Sequence, residues 1–110
     1  MNVSFEEICR LSVTFAQAGC QAAQVCKVSG NGKVAPCAEG EKLCGIVEHV
    51  RGGHAAVQVA GFVEVKVTGA VDVGYVNLCA DGTGGVKAGE GKEYLVVSVN
   101  ENAKTAVIKL

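Results

Sequence analysis

The chain has 110 residues, enough for one domain with a modest core. Apolar residues make up 49% but aromatics only 5%, with no Trp, so the core has to be built from Val, Ile, Leu, Ala and Cys. Net charge is −1 with Lys and Arg scattered singly, which argues against an electrostatic nucleic-acid surface, and no run reaches the roughly 18 apolar residues of a membrane helix.

The first residues, Met-Asn-Val-Ser-Phe-Glu-Glu, lack a basic stretch followed by an apolar one, so no secretory signal is expected. They suit one helical turn or an extended arm. Residues 12–17 alternate, with Val13 and Phe15 on one side, and predict a short strand. Residues 21–29 predict a second strand. Gly30-Asn31-Gly32 is a turn, since Gly and Asn tolerate positive φ, and residues 33–37 return from it. Ala38 to Glu41 turns again. Residues 43–50 carry apolar side chains on both faces and read as a central strand.

Arg51, Gly52 and Gly53 close a hairpin into the most regular segment of the chain. Val57, Val59, Val63, Val65 and Val67 occupy odd positions, and Gln58, Ala60, Phe62, Glu64 and Lys66 the even ones. A period of two is a strand with one buried face, and stiff branched valine packs well on a pleated surface. Gly61 interrupts it and permits a bulge or sharp bend. A loop follows over 68–74, then a strand at 75–79, a turn at Asp81-Gly82-Thr83-Gly84-Gly85, and a glycine-rich connection or short helix over 86–92. Strands at 94–99 and 103–110 flank a tip at Asn100-Glu101-Asn102. The expected class is all-β: a small antiparallel β-barrel or sandwich of about eight short strands, with a short helix or extended arm at the N-terminus. Residues 1–15 form the arm or first strand, and 16–110 a single β domain.

Candidate chemistry is sparse. Six cysteines at 9, 20, 26, 37, 44 and 79 contain no C-x-x-C pair and read as free, mostly buried thiols; Cys37 and Cys44 flank the turn at Gly40 and can approach. A hairpin loop at Arg51-Gly52 would set His49 opposite His54, but a third metal ligand is missing, and a one-residue shift separates them. Gly89-Glu90-Gly91-Lys92 fails the phosphate-loop pattern, because Val86 stands where its first Gly belongs and Glu93 follows the Lys. Asp72, Asp81, Glu39 and Glu41 read as solvated turn carboxylates. A lipoyl-type carrier would present Lys beside Met at a hairpin tip, and Met1 is the only Met. No catalytic residue, cofactor site or metal site is expected. A Cys–His hydrolase ranks last among the readings.

Several runs carry a family likeness: Val34-Ala35-Pro36-Cys37, Gly45-Ile46-Val47, Gly53-His54-Ala55-Ala56-Val57-Gln58-Val59-Ala60-Gly61, Gly74-Tyr75-Val76-Asn77-Leu78, Asp81-Gly82, Gly85-Val86 and Tyr94-Leu95-Val96-Val97. Together, over roughly residues 20–110, they resemble small prophage-encoded head decoration, or capsid cement, proteins. The resemblance implies a β-rich, often trimeric, non-catalytic protein. Such a protein sits where major capsid protein subunits meet and braces the shell against internal DNA pressure. It would assemble in the bacterial host cytoplasm and end on the virion surface, touching neither nucleic acid nor membrane directly. Val3, Phe5, Ile8, Val13 and Phe15 are the expected capsid contacts, on an arm that adds a strand to a neighbour's sheet. Apolar residues on both faces of 43–50 and 95–99 suggest a homo-oligomer. The alternative is a small ligand-binding β-barrel module, or an accessory domain of an enzyme complex, which requires a deep pocket with convergent polar groups; the strands offer few of these, namely Gln58, Glu64, Asn77 and Ser98.

Overall fold

The computed structural model describes residues 10–110. Among these the chain is all-β: β1 (Leu11–Gln17), β2 (Val25–Gly30), β3 (Lys33–Pro36), β4 (Gly45–Arg51), β5 (His54–Ala60), β6 (Phe62–Lys66), β7 (Gly74–Ala80), β8 (Val86–Ala88), β9 (Lys92–Asn100) and β10 (Thr105–Lys109). The first five close into a barrel in the order β1-β3-β2-β4-β5, and the other five form a sheet in the order β6-β10-β9-β7-β8. A parallel bridge from Val67 to Val86 links the ends of β6 and β8, so the second sheet also curls nearly round on itself.

The valine segment explains the division. Gly61 sits at φ 93°, outside the range comfortable for a side chain, and there the chain leaves the barrel for the second sheet. Before the corner, Val57 and Val59 face the barrel interior; after it, Val65 and Val67 face a second core. The buried Gln58 amide braces the corner, donating to the Ala60 and Phe62 carbonyls at 3.0 Å each. The predicted bend is therefore a crossover between sheets.

Each barrel strand sends side chains inward: Phe15, Cys26, Val34, Val47, and Ala55 with Val57. The second core gathers Leu78, Val86, Val96 and Ile108 together with Val25 and Ile46 from the barrel wall. Adjacent residues on β2 (Val25, Cys26) and on β4 (Ile46, Val47) thus point into different cores. These strands are the partition between two apolar interiors. The two-faced apolar pattern of 43–50, read from sequence as surplus surface for a partner, is consumed inside the chain at Leu43, Ile46 and Val47, while Val50 stays exposed.

Three boundaries differ from expectation. Residues 21–24 form a turn, and β2 starts at Val25. The connection over 86–92 contains the short strand β8 rather than a helix, because Val86 is fully buried and pairs with Ala80. The 51–53 hairpin turns at Gly52-Gly53, with Arg51 opposite His54.

Candidate functional site

β1 is an unusual barrel strand. Antiparallel pairing with β5 runs from Leu11 to Ala16, but parallel pairing with β3 involves only Ala16 and Gln17. On the side away from β5, Leu11 to Phe15 therefore has no ladder partner among the described residues. The exposed N–H and C=O groups of such an edge are a template for another strand. The apolar side of β1 runs out of the barrel along the same stretch: Phe15 packs on the barrel core, Val13 is 37% exposed and Leu11 54%. On its polar side, Ser12 and Arg10 both engage the Glu48 carboxylate, which ties the start of the strand to β4. The barrel holds this edge in an extended form, so adding a strand would cost little ordering of β1 itself.

Of the five expected contact residues, Val3, Phe5 and Ile8 lie outside the described residues. Val13 is on the open edge. Phe15 has a place in the barrel, and β1 begins at Leu11, so it crosses the expected boundary between 1–15 and 16–110. Leu11 was missed; its neighbour Ser12 begins the regular alternation, and a register shift between Leu11 and Ser12 hides the outer position.

The histidines do not face one another. With the turn at Gly52-Gly53, His54 pairs with Arg51 and His49 with Ala56. Both rings instead border a shallow depression of about 200 Å³, with Arg51 and Thr14. No group of three metal-ligating side chains occurs among the described residues. A larger groove of about 500 Å³ is lined by residues that include Val67, Val71, Asp72, Val99, Asn100 and Lys104. Of the four polar strand residues, Gln58 is spent on the Gly61 corner, Ser98 is buried on β9, and Glu64 and Asn77 are exposed.

The turn carboxylates divide. Glu41 accepts from Lys27 at 2.6 and 2.8 Å and from the Ala38 N–H at 2.7 Å, and the lysine holds its carboxyl below the ordinary value. Glu39 pairs with Lys87 at 3.3 Å. Asp81, expected in solvent, is only 9% exposed. It accepts hydrogen bonds from the Thr68 hydroxyl, the Thr83 N–H and hydroxyl, and the Gly85 N–H, at 2.8, 2.7, 2.9 and 3.1 Å. Burial pushes its carboxyl up, but these four donors outweigh burial and hold it below the usual carboxylate value. Asp81 is a structural clasp between the 81–85 turn and the end of β6.

All five described cysteines are free thiols. Cys44 stands against Cys26, with the sulfurs 3.9 Å apart, and the Cys37 thiol points to the Lys42 carbonyl at 3.9 Å while remaining within electrostatic reach of Cys44. The chain matches no protein-family model and no curated protein.

Proposed function

We propose that this chain is a structural phage or prophage protein that binds and stabilises the capsid shell, without catalysis. The observation that carries the reading is the edge of β1, where backbone without a ladder partner among the described residues coincides with exposed Leu11 and Val13. A strand from the major capsid protein, laid along this edge, would cover both side chains and satisfy the backbone groups. The sequence resemblance over residues 20–110 supplies the identity of the partner. Many such contacts repeated on a lattice add to firm attachment even when each is weak. The arm residues Val3, Phe5 and Ile8 extend the same contact, and assembly takes place in the host cytoplasm before the protein comes to lie on the virion surface.

Sedimentation with empty shells of a phage major capsid protein tests the idea. Val13→Lys places a charge on the open edge, where lysine is a natural barrier to strand addition. It is expected to weaken shell binding about tenfold or more while leaving thermal unfolding within about 0.5 kcal/mol of the parent. Deletion of residues 1–10 is expected to abolish binding. Full binding by both altered chains would overturn the proposal.

A homotrimer follows from the same reading. Apart from Leu11 and Val13, the large apolar residues exposed among the described residues are Val28, Val50, Val73 and Tyr75, at 57%, 36%, 60% and 72%. Light scattering at micromolar concentration is expected to give three times the chain mass, and a monomer mass would count against it.

A further inference from the structure

The barrel wall contains a pair of thiols that the capsid reading does not use. Cys26 is fully buried on β2, and Cys44, half-buried, immediately precedes β4. Their backbones are joined by a hydrogen bond from the Cys44 N–H to the Cys26 carbonyl at 2.8 Å, while the register partner of Cys26 is Gly45. Two consecutive residues therefore face one, as in a β-bulge, which turns the Cys44 side chain toward Cys26 instead of away from it. The sulfurs stand 3.9 Å apart. Neighbouring strands lie about 4.7–4.9 Å apart, inside the roughly 4.4–6.8 Å Cα separation that a disulfide spans.

We propose that Cys44 and Cys26 form a thiol–disulfide exchange site, in which half-buried Cys44 attacks a low-molecular-weight disulfide of the glutathione class and buried Cys26 resolves the adduct. In the first step the Cys44 thiolate bonds to one sulfur of the small disulfide and expels the other as a thiolate. In the second, the Cys26 sulfur attacks the Cys44 sulfur and expels the remaining small thiolate. The proton of Cys26 passes to a departing thiolate. Two protein thiols are oxidised and one small disulfide is reduced to two small thiols, so atoms and electrons balance.

The surroundings support this division of labour. Cys20, Cys26, Cys37 and Tyr94 are the titratable groups close enough to feel the Cys44 charge. The Cys26 thiol donates to Cys44 and stabilises its thiolate, which lowers Cys44 to about 7 despite burial. Cys26 is correspondingly pushed up, by that shared hydrogen bond first and by burial second. Burial, then the nearby Glu41, raises Cys37 to about 11, and burial raises Cys20. Near neutral pH one thiol in the cluster ionises, and it is the one that solvent reaches. Attack by Cys26 on the adduct is intramolecular, and proximity compensates for a poor nucleophile.

The folded full-length protein, treated with oxidised glutathione at neutral pH and digested with trypsin without reduction, provides the test. The expected product loses the mass of two hydrogens and links the peptide carrying Cys26 to the peptide carrying Cys44. Cys26→Ala is expected to trap glutathione on Cys44, and Cys20→Ser to behave as the parent. Alkylation of Cys44 in the parent is expected to reach half its plateau rate near pH 7. In Cys26→Ala that midpoint should rise by about one pH unit or more, toward the roughly 8.5 of an ordinary thiol. The parent chain and its pH profile decide the matter even if that variant does not fold. A stable mixed disulfide on parent Cys44, a link through Cys20 or Cys37, or no reaction would each overturn the proposal.

Discussion

Replacing Asp81 with Ala is expected to lower the unfolding free energy by about 3–4 kcal/mol, read from urea denaturation. The carboxylate accepts four hydrogen bonds; a hydrogen bond to a charged group contributes about 1.5–3 kcal/mol net, and the four are not additive because they share one carboxylate and water can reach the exposed Thr83 end. Truncation leaves the buried Gly85 N–H and the Thr68 hydroxyl without their acceptor. Those groups sit beside the Val67–Val86 bridge and the Thr68 N–H to Val86 carbonyl bond of 2.9 Å, which draw the second sheet closed. Asp81→Asn keeps the shape and one carbonyl oxygen, so about half the loss is expected. The pH dependence has a definite sign. Because the folded carboxyl titrates below its unfolded value, its contribution is fully present above about pH 4. It fades as pH falls through the folded value. Below pH 4 the parent should therefore lose stability more steeply than Asp81→Asn, and identical acid profiles would show that the clasp carries no charge-dependent stability.

Local pattern made much of this fold legible. Alternating valines, with glycine turns at Gly30-Asn31-Gly32 and Gly40, identify strands because strand periodicity and turn chemistry are properties of adjacent residues. Gly61 was readable as a bend for the same reason. What lay beyond reach depends on which distant strand each face meets. Ile46 and Val47 look alike in sequence, yet each serves a different core, so neither contributes the surplus apolar face they suggested. Asp81 looks like any Asp-Gly turn until Thr68 is brought beside it by the crossing of β6 and β8. The His49–His54 pairing failed by a one-residue slip, which a hairpin containing two consecutive glycines cannot resolve from sequence.

The candidate site was legible in kind more than in detail. The apolar alternation of Val13 and Phe15 marked β1, but its open edge follows from β3 reaching only as far as Ala16. Cys26 and Cys44 are separated by a turn and a strand, so only the β2–β4 register joins them. No spacing rule contains that register.

The same partition makes Gly45→Ala a severely damaging substitution, with an expected loss of about 3 kcal/mol or more in urea denaturation. A Cβ built at Gly45 would lie 2.3 Å from the Gln58 carbonyl oxygen and 2.8 Å from Val57 Cγ1. The first obstacle is backbone, so no rotamer change relieves it; β4 and β5 have to separate. β5 has little freedom to yield. Its Gln58 amide is fixed to the Ala60 and Phe62 carbonyls across the Gly61 corner, and Val57 is fully buried in the barrel. Displacement of β5 would spread into both cores at once, since Val57 faces one and the partner of Gln58, Ile46, faces the other. Domains of this size have about 5–15 kcal/mol in total, so the variant should sit close to its unfolding threshold. Gly53→Ala is the matched control: a Cβ there meets nothing within 4 Å, and a shift of under about 1 kcal/mol in either direction is expected. Equal losses at the two glycines would mean that helical or strand propensity, rather than contact between β4 and β5, governs the effect, and the two-core partition would lose its mechanical basis.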